Sequence, residues 1–537
     1  MPNSNASAAE EAPVLIAGGG LVGLCAAAFL AQRGIRSLAI ERLKASSPLP
    51  RAAFFHMRTM ELFRSLGIED LVRERSALDF VPEGAIVALE SLSGRKLADI
   101  MPSLNEGVEA LSPCRRLYLN QPSLEPILRE RALAAGASLI QGAEITDVHQ
   151  DAGGVSIATR DVESGVPRSF RGKYLIAADG GHSKVRELIG IGLAGRGVFS
   201  NSLTIYFTAD LSPWVRDHAW SVIYVNNPQL SGFFRTNRTA QAGFLGVNTV
   251  GDYKADPQAA TNAAADVSES RMVELVRAGV GVPDLNVRID GYSRWRATAD
   301  VAQTFRDRRI FLAGDAAHLM PPNGGFGGNT GIHDAHNIAW KLALILGGQA
   351  GERLLDSYDR ERRPVAKFTV EQAFSRYVAR TAPWLKAAQA PEPIIDDPHI
   401  ELGYLYDSAQ GTHLDPLTTL GMPGSRAPHL WLKKSGARVS SIDLLGKFVL
   451  FAGSKGESWI RAVGNLQNAF PGLPLDTYRI GTDVEDPEAR FEQSYGISSA
   501  GASLVRPDGF VAWRSPSADA DCSQALRGAI AQTLCVG

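Results

Sequence analysis

Six residues near the start of the chain, Gly18-Gly19-Gly20-Leu21-Val22-Gly23, fit the spacing G-x-G-x-x-G. They stand between a short apolar run and an uncharged helical stretch. Such a turn is suited to a pyrophosphate. Gly18 permits the tight turn, Gly20 lets the backbone approach the phosphates, and Gly23 lets helix and strand pack closely. Leu21 and Val22 open the helix whose N-terminus faces the anion. Glu41 lies 18 residues beyond Gly23, at the end of the next apolar run. There a carboxylate can accept hydrogen bonds from ribose hydroxyls, and the three features together predict dinucleotide binding.

Two more acids stand beside glycine after apolar runs: Asp179-Gly180 after Tyr174–Ala178, and Asp315 in Gly314-Asp315 after Ile310–Ala313. Ligands of open α/β sheets bind at such carboxyl ends of strands. Either acid alone also reads as a helix N-cap. A nucleotide domain assembled from dispersed segments suits bound FAD better than the contiguous fold of an NAD dehydrogenase. In that reading Asp315 opens a Gly/Pro loop and takes the ribityl hydroxyls.

The elements that must position these residues follow from periodicity. Val14–Ala17 is expected as a buried parallel strand, Leu21–Arg33 as a helix closed by Gly34, and Ile35–Ile40 as the next strand. Helices are expected over Met57–Leu66 and Leu124–Ala135. Residues 195–300 are rich in Val, Thr, Tyr, Phe and Asn, with turn signals such as Asn226-Asn227-Pro228, and read as an antiparallel sheet walling a pocket. A loop is expected from Pro321 to Gly331, then a helix from Ile332, then a long helix from Leu354 to about Ala379. Residues 385–425 are Pro-rich and irregular and read as a linker.

Composition bounds the function. A chain of 537 residues holds about three or four domains. Lys+Arg is 55 and Asp+Glu is 57, a balance that argues against nucleic acid or an anionic membrane surface as partner. The uncharged run Val14–Ala31 invites a membrane reading, but glycines interrupt it and no basic residue precedes it. The four cysteines, Cys25, Cys114, Cys522 and Cys535, form no CxxC, which fits a reducing cytoplasm and excludes a redox dithiol or zinc ribbon. His318, His333 and His336 lack a partner acid or thiol at ligand spacing, so no metal is expected.

Three segments in this order resemble the group A flavoprotein aromatic hydroxylases: the Gly18–Gly23 turn, Ala178-Asp179-Gly180-Gly181-His182-Ser183, and Gly314-Asp315-Ala316-Ala317-His318-Leu319-Met320-Pro321-Pro322 with its continuation to Asn329. The resemblance spans about residues 13–380. Residues 500–514 look like the closing strands of the family's thioredoxin-like domain. Within the family the similarity is to aklavinone-type polyketide hydroxylases and to chlorophenol and phenol hydroxylases.

The resemblance implies an α/β fold: a Rossmann-like FAD domain of the para-hydroxybenzoate hydroxylase type, an inserted mixed or antiparallel substrate sheet, and a thioredoxin-like C-terminal domain. Its boundaries would be 1–80 with 105–190 and 301–395 for FAD, 81–104 and 191–300 for substrate, 396–425 for a linker, and 426–537 for the last domain. Glu41 and Arg42 would meet the adenosine ribose. Arg51 and Gln121 would reach the diphosphate or ribityl chain, Asp179 and Gly180 would serve FAD and the nicotinamide, and Pro322, Gly328 and Asn329 would border the flavin ring. Tyr224 and Arg380 match substrate-facing positions. An exposed Arg, an N-cap Gln, a core Tyr and a solvent-facing Arg are the bland alternatives.

The reaction implied is hydroxylation of a phenolic or polycyclic aromatic ring with non-covalent FAD, NADPH or NADH, and O2, through a flavin C4a-hydroperoxide. A simple chlorophenol as substrate, Baeyer–Villiger oxygen insertion, and a non-catalytic FAD scaffold or sensor are the alternatives. No Trp-x-Trp motif supports a halogenase. A homodimer is the candidate assembly.

Overall fold

The computed structural model describes residues 10–46, 53–81, 84–407, 413–466 and 468–536. The Arg51 expectation lies outside the described residues.

A six-stranded sheet forms the first layer, in the order Arg306–Asp307, Ile310–Leu312, Tyr174–Ala177, Val14–Ala17, Ser37–Glu41, Ser138–Gln141. All neighbours are parallel except the first pair. The strands Val-Leu-Ile-Ala, Tyr-Leu-Ile-Ala and Ile-Phe-Leu are buried throughout. A strand covered on both faces has no polar side to show, hence the unbroken apolar runs. Helix Leu21–Gln32 packs between helices Gln121–Ala134 and Phe326–Leu346.

The composition shift at residue 195 marks an eight-stranded mixed sheet. Its strands Leu193–Thr208, Ala242–Val250, Leu230–Thr236 and Trp220–Asn226 are antiparallel, and Trp220–Asn226 then pairs in parallel with Ala85–Leu89. Alternation separates its faces. Ile223, Val225, Phe234, Leu245 and Val247 pack with Met272, Leu275 and Val276 of helix Glu269–Val280. Tyr224 and its cross-strand partner Phe233 belong to the opposite cluster, with Phe80 and Tyr118. The long helix Asp356–Thr381 runs back along this sheet and supplies Phe374, Tyr377 and Val378 to a core with Ala297 and Ala299.

The last sheet has the order Leu475–Arg479, Phe448–Ala452, Ala502–Val505, Val511–Ser515. Helices Glu457–Leu466 and Cys522–Leu534 meet it around Trp459, Leu526 and Ile530, and the same core takes Trp340 and Leu344 from helix Phe326–Leu346.

Two expectations are corrected here. Helix Phe326–Leu346 begins six residues before Ile332, inside the expected loop. Its glycines oppose helix on propensity, but Asn329 Nδ2 donates to Gly325 O (2.7 Å) and Phe54 O (2.8 Å) and pins the first turn. The Pro-rich stretch after residue 385 carries helix Asp397–Glu401, whose Glu401 is buried in an ion pair with Arg116 (2.7 Å).

Candidate functional site: a glycine turn and an aromatic cluster

The glycine turn follows strand Val14–Ala17. Gly18 adopts φ +97°, and a Cβ there would lie 2.3 Å from the Ala178 carbonyl oxygen. A Cβ on Gly23 would lie 2.0 Å from Gly18 O. Neither position admits a side chain, so helix and strand approach as the motif requires. Gly20 caps helix Leu21–Gln32 without a side-chain bond, and no acid occupies the first turn. The N–H groups of Leu21, Val22 and Gly23 therefore point outward without intrahelical partners, the arrangement that receives phosphate.

Glu41 closes its strand beside this turn. Its Oε2 accepts from Gly19 N–H (2.7 Å) and its Oε1 from Leu43 N–H (2.7 Å). Arg42 lies exposed next to it. On the other side, Gln121 is the first residue of its helix, with Asn120 at the cap, and donates from Nε2 to Glu125 Oε1 (2.6 Å). The Glu125 carboxylate borders Gly20, a neighbour that sequence reading missed because a lone helical Glu carries no signal.

Asp179 and Asp315 follow strands Tyr174–Ala177 and Ile310–Leu312, the successive neighbours on one side of Val14–Ala17 in the sheet, with different partners. Asp179 accepts from Ser183 Oγ (2.6 Å) and from Val185 N–H (3.0 Å). Burial pushes its carboxyl above the usual range, against these hydrogen bonds. Ser183, not Asp179, is the cap of helix Lys184–Leu188. Asp315 lies in the short turn Gly314–Ala316 with its side chain exposed. Gly314 N–H donates to Asp334 Oδ2 (3.1 Å), and Asp334 also accepts from buried His318 (2.7 Å) and Arg362 (2.8 Å). Asp334 and Arg362 thus fix the Asp315 turn onto helix Phe326–Leu346. Sequence reading missed both, since they meet across a helix and a loop rather than at a repeating spacing.

Pro322, Gly328 and Asn329 border the start of that helix. Pro322 is exposed and its carbonyl accepts from Gly325 N–H (2.9 Å). Asn329 Oδ1 accepts from His56 N–H (3.0 Å) and Thr59 Oγ (2.6 Å), so its side chain is structural and only the helix N-terminus faces outward. The three histidines go to separate partners: His318 to Asp334, His333 to Thr59 Oγ (3.1 Å), and His336 beside Arg33 Nη2 (3.5 Å).

Tyr224 and Arg380, far apart in sequence, meet. Arg380 Nη1 stands 3.5 Å from the Tyr224 hydroxyl, and its guanidinium carbon lies 5.6 Å from the ring centroid. Asn323 Nδ2 approaches the same hydroxyl at 3.4 Å. Tyr224 is 5% exposed, with Phe54, Phe233 and Tyr118 in its cluster. Asn323 comes from the loop that opens helix Phe326–Leu346, so the loop joins the two halves of the site.

A glycine turn that presents orphan N–H groups, an acid at the second strand end, and an exposed acid on a turn beside a second helix N-terminus fit the class of FAD-binding flavoproteins, here with an aromatic cluster on the adjoining sheet. Comparison with known proteins agrees. Residues 11–373 match the FAD binding domain family and residues 420–535 match the aromatic-ring hydroxylase C-terminal family. The chain belongs to the FAD-dependent aromatic-ring hydroxylases. It is 48% identical to 4-methyl-5-nitrocatechol 5-monooxygenase from Burkholderia sp, over 98% of both chains. It is 36% identical to aklavinone 12-hydroxylase from Streptomyces purpurascens, over 98% of this chain and 99% of the other. The crystal structure of aklavinone-11 hydroxylase with FAD and aklavinone superposes with a TM-score of 0.91 at 35% identity, covering 98% of this chain and 99% of that one.

No helix among the described residues is long and apolar enough to cross a membrane.

Proposed function

We propose that this FAD-dependent monooxygenase hydroxylates a phenolic ring of catechol size, with Tyr224 and Arg380 acting on the ring hydroxyl. The carrying observation is the Tyr224 hydroxyl, buried in an aromatic cluster and approached by Arg380 and Asn323. The 48% identity to a nitrocatechol monooxygenase favours a single ring over the polycyclic substrate of the 36% relative.

When bound, FAD supplies the redox chemistry and the activated oxygen. The chain holds and orients it. The Gly18–Gly23 turn and the first turn of its helix receive the diphosphate. Glu41 and Arg42 would take the adenosine end, and Gln121 would reach the linking chain. Asp315 would take ribityl hydroxyls, and Asp179 and Gly180 would support the neighbouring loop. Pro322, Gly328 and Asn329 would border the flavin ring at a helix N-terminus, whose partial positive charge favours negative charge.

In the pocket the ring's nucleophilicity rises when its hydroxyl loses a proton. Tyr224 would hydrogen-bond the ring hydroxyl, and Arg380 would stabilise electrostatically the oxyanion left when that proton passes to solvent. Arg380 cannot be the base, because a guanidinium keeps its proton. A cytoplasmic setting, supported by four unpaired cysteines, and a homodimeric assembly complete the reading.

The test is NADPH and NADH oxidation by flavin-loaded enzyme with catechol, 4-nitrocatechol and an anthracyclinone, under 18O2 with product mass spectra. Catechol-type rings should stimulate turnover and yield product carrying one labelled oxygen. Turnover with the anthracyclinone alone would overturn the assignment of ring size.

A further inference from the structure

Six arginines are buried among the described residues: Arg58, Arg116, Arg235, Arg362, Arg376 and Arg426. Five have a carboxylate partner: Glu61 for Arg58 and Arg426, Glu401 for Arg116, Asp334 for Arg362, and Asp397 for Arg376. Arg235 is 5% exposed, and its Nε and Nη2 have no hydrogen-bond partner. Its guanidinium carbon lies 4.3 Å from the ring centroids of both Phe80 and Tyr118. The Tyr118 hydroxyl is also buried without a partner. Burial pulls the Arg235 pKa down to about 10, which leaves it charged at neutral pH.

This pair lies beside Tyr224, on the same sheet face and in the same aromatic cluster. Arg235 is two residues from Phe233 on strand Leu230–Thr236 and therefore shares its face, the face of Tyr224. Tyr118 stacks on Phe54 at 4.7 Å, and Phe54 O holds Asn329 at the start of the flavin-side helix. Phe80, Tyr118 and Tyr224 form one cluster. Two rings against one guanidinium restrict its plane but satisfy none of its N–H groups, and a buried charge without an anion is costly. No carboxylate of the described chain answers it.

We propose that Arg235 and Tyr118 form a specificity subsite that receives a planar two-oxygen substituent, nitro or carboxylate, on the aromatic substrate. A guanidinium fork matches two coplanar oxygens bidentately, and the Tyr118 hydroxyl donates to either. The subsite rests on the ring-hydroxylation reading above and adds what distinguishes one phenol from another.

The test uses the flavin-loaded full chain and the flavin absorbance change on titration with catechol, 4-nitrocatechol and 3,4-dihydroxybenzoate. Wild type should bind one of the two substituted rings at least about 10-fold tighter than catechol, the size of one charge-assisted contact. Which ring wins separates nitro from carboxylate. Arg235→Met should reduce the preference to under about threefold, and Arg235→Lys, a point charge without a fork, should keep only part of it. Tyr118→Phe should lower it by a smaller factor. If Arg235→Met fails to retain FAD, the Arg235→Lys comparison decides. Equal preference in wild type and the Arg235 variants, or no preference in wild type, would overturn the subsite while leaving ring hydroxylation intact. Absence of binding by all three rings to wild type would overturn both.

Discussion

Asp179 commits both carboxylate oxygens to its own loop, on Ser183 Oγ and Val185 N–H, whereas Asp315 sits exposed on a turn fixed from behind by Asp334. Their substitution should therefore differ in kind. Asp315→Ala should weaken FAD binding roughly 10–150-fold, the worth of one charge-assisted hydrogen bond. Asp179→Ala should cost stability first and flavin affinity less. Titration of FAD into apoprotein reads the difference, and equal affinity in wild type and Asp315→Ala would remove Asp315 from the site. Tyr224→Phe keeps the ring and removes the hydroxyl that would meet the substrate oxygen. Product formation should slow about 10²–10⁴-fold while NADPH oxidation persists and H2O2 accumulates. Full coupling of NADPH to product in Tyr224→Phe would make Tyr224 a packing residue. The glycine turn was legible because only glycine fits φ +97° and a 2.0 Å approach. Arg235 was not, because an arginine in a strand reads as solvent-facing until two rings are seen to cover it.

The helix Met57–Ser65 connects both functional ends of the molecule. Its Thr59 hydroxyl binds Asn329, and its Glu61 lies between Arg58 and Arg426, with Arg58 also bonded to the Asp508 carbonyl of the C-terminal domain. Burial would raise the Glu61 pKa, but Arg426 and Arg58 hold it below the usual range. Glu61→Ala leaves two buried guanidinium groups without an anion and should cost about 3–5 kcal/mol, read by urea denaturation. A loss under about 1 kcal/mol would mean that the site relaxes or fills with water. By contrast, Cys522→Ser with Cys535→Ser should leave kcat within about twofold, because the Cys522 thiol hydrogen-bonds Ser458 Oγ and Asp519 O, and the Cys535 thiol Gln532 O, all within the C-terminal region. A tenfold fall in kcat with intact folding would show that the thiols act in turnover. The sheets were readable from apolar periodicity. The early start of helix Phe326–Leu346 was not, because Asn329 overrides glycine propensity through contacts with Gly325 and distant Phe54. The strand order of the inserted sheet was equally hidden, since it depends on pairings such as Trp220–Asn226 with Ala85–Leu89.

At the scale of the whole molecule, burial sets the response to acid. Burial holds His56 below its ordinary pKa and His333 and His336 well below it, with His413 near 3 and His429 near 4. The unfolded chain binds protons at these positions below about pH 6.5 and the folded chain does not, so stability falls as pH falls. Each such histidine removes up to about 1.4 kcal/mol per pH unit below that point. The depressed carboxylates Glu61, Asp334 and Asp397 add their loss only below about pH 4.5. Thermal unfolding from pH 8 to 5 should show Tm flat above about 6.5 and falling beneath it; a flat Tm to pH 5 would contradict the buried neutral state. The dispersed nucleotide sheet has a further consequence for the ribosome. Val14–Ala17 pairs early with Ser37–Ile40, but its other edge waits for Tyr174–Ala177, and that strand waits for Ile310–Leu312. At roughly 5–20 residues per second the open edge is presented for about 8–30 s before its first distant partner is made. An uncharged strand held open that long is a template for aggregation, so the nascent N-terminal half is a natural client for a chaperone until the chain has passed Leu312.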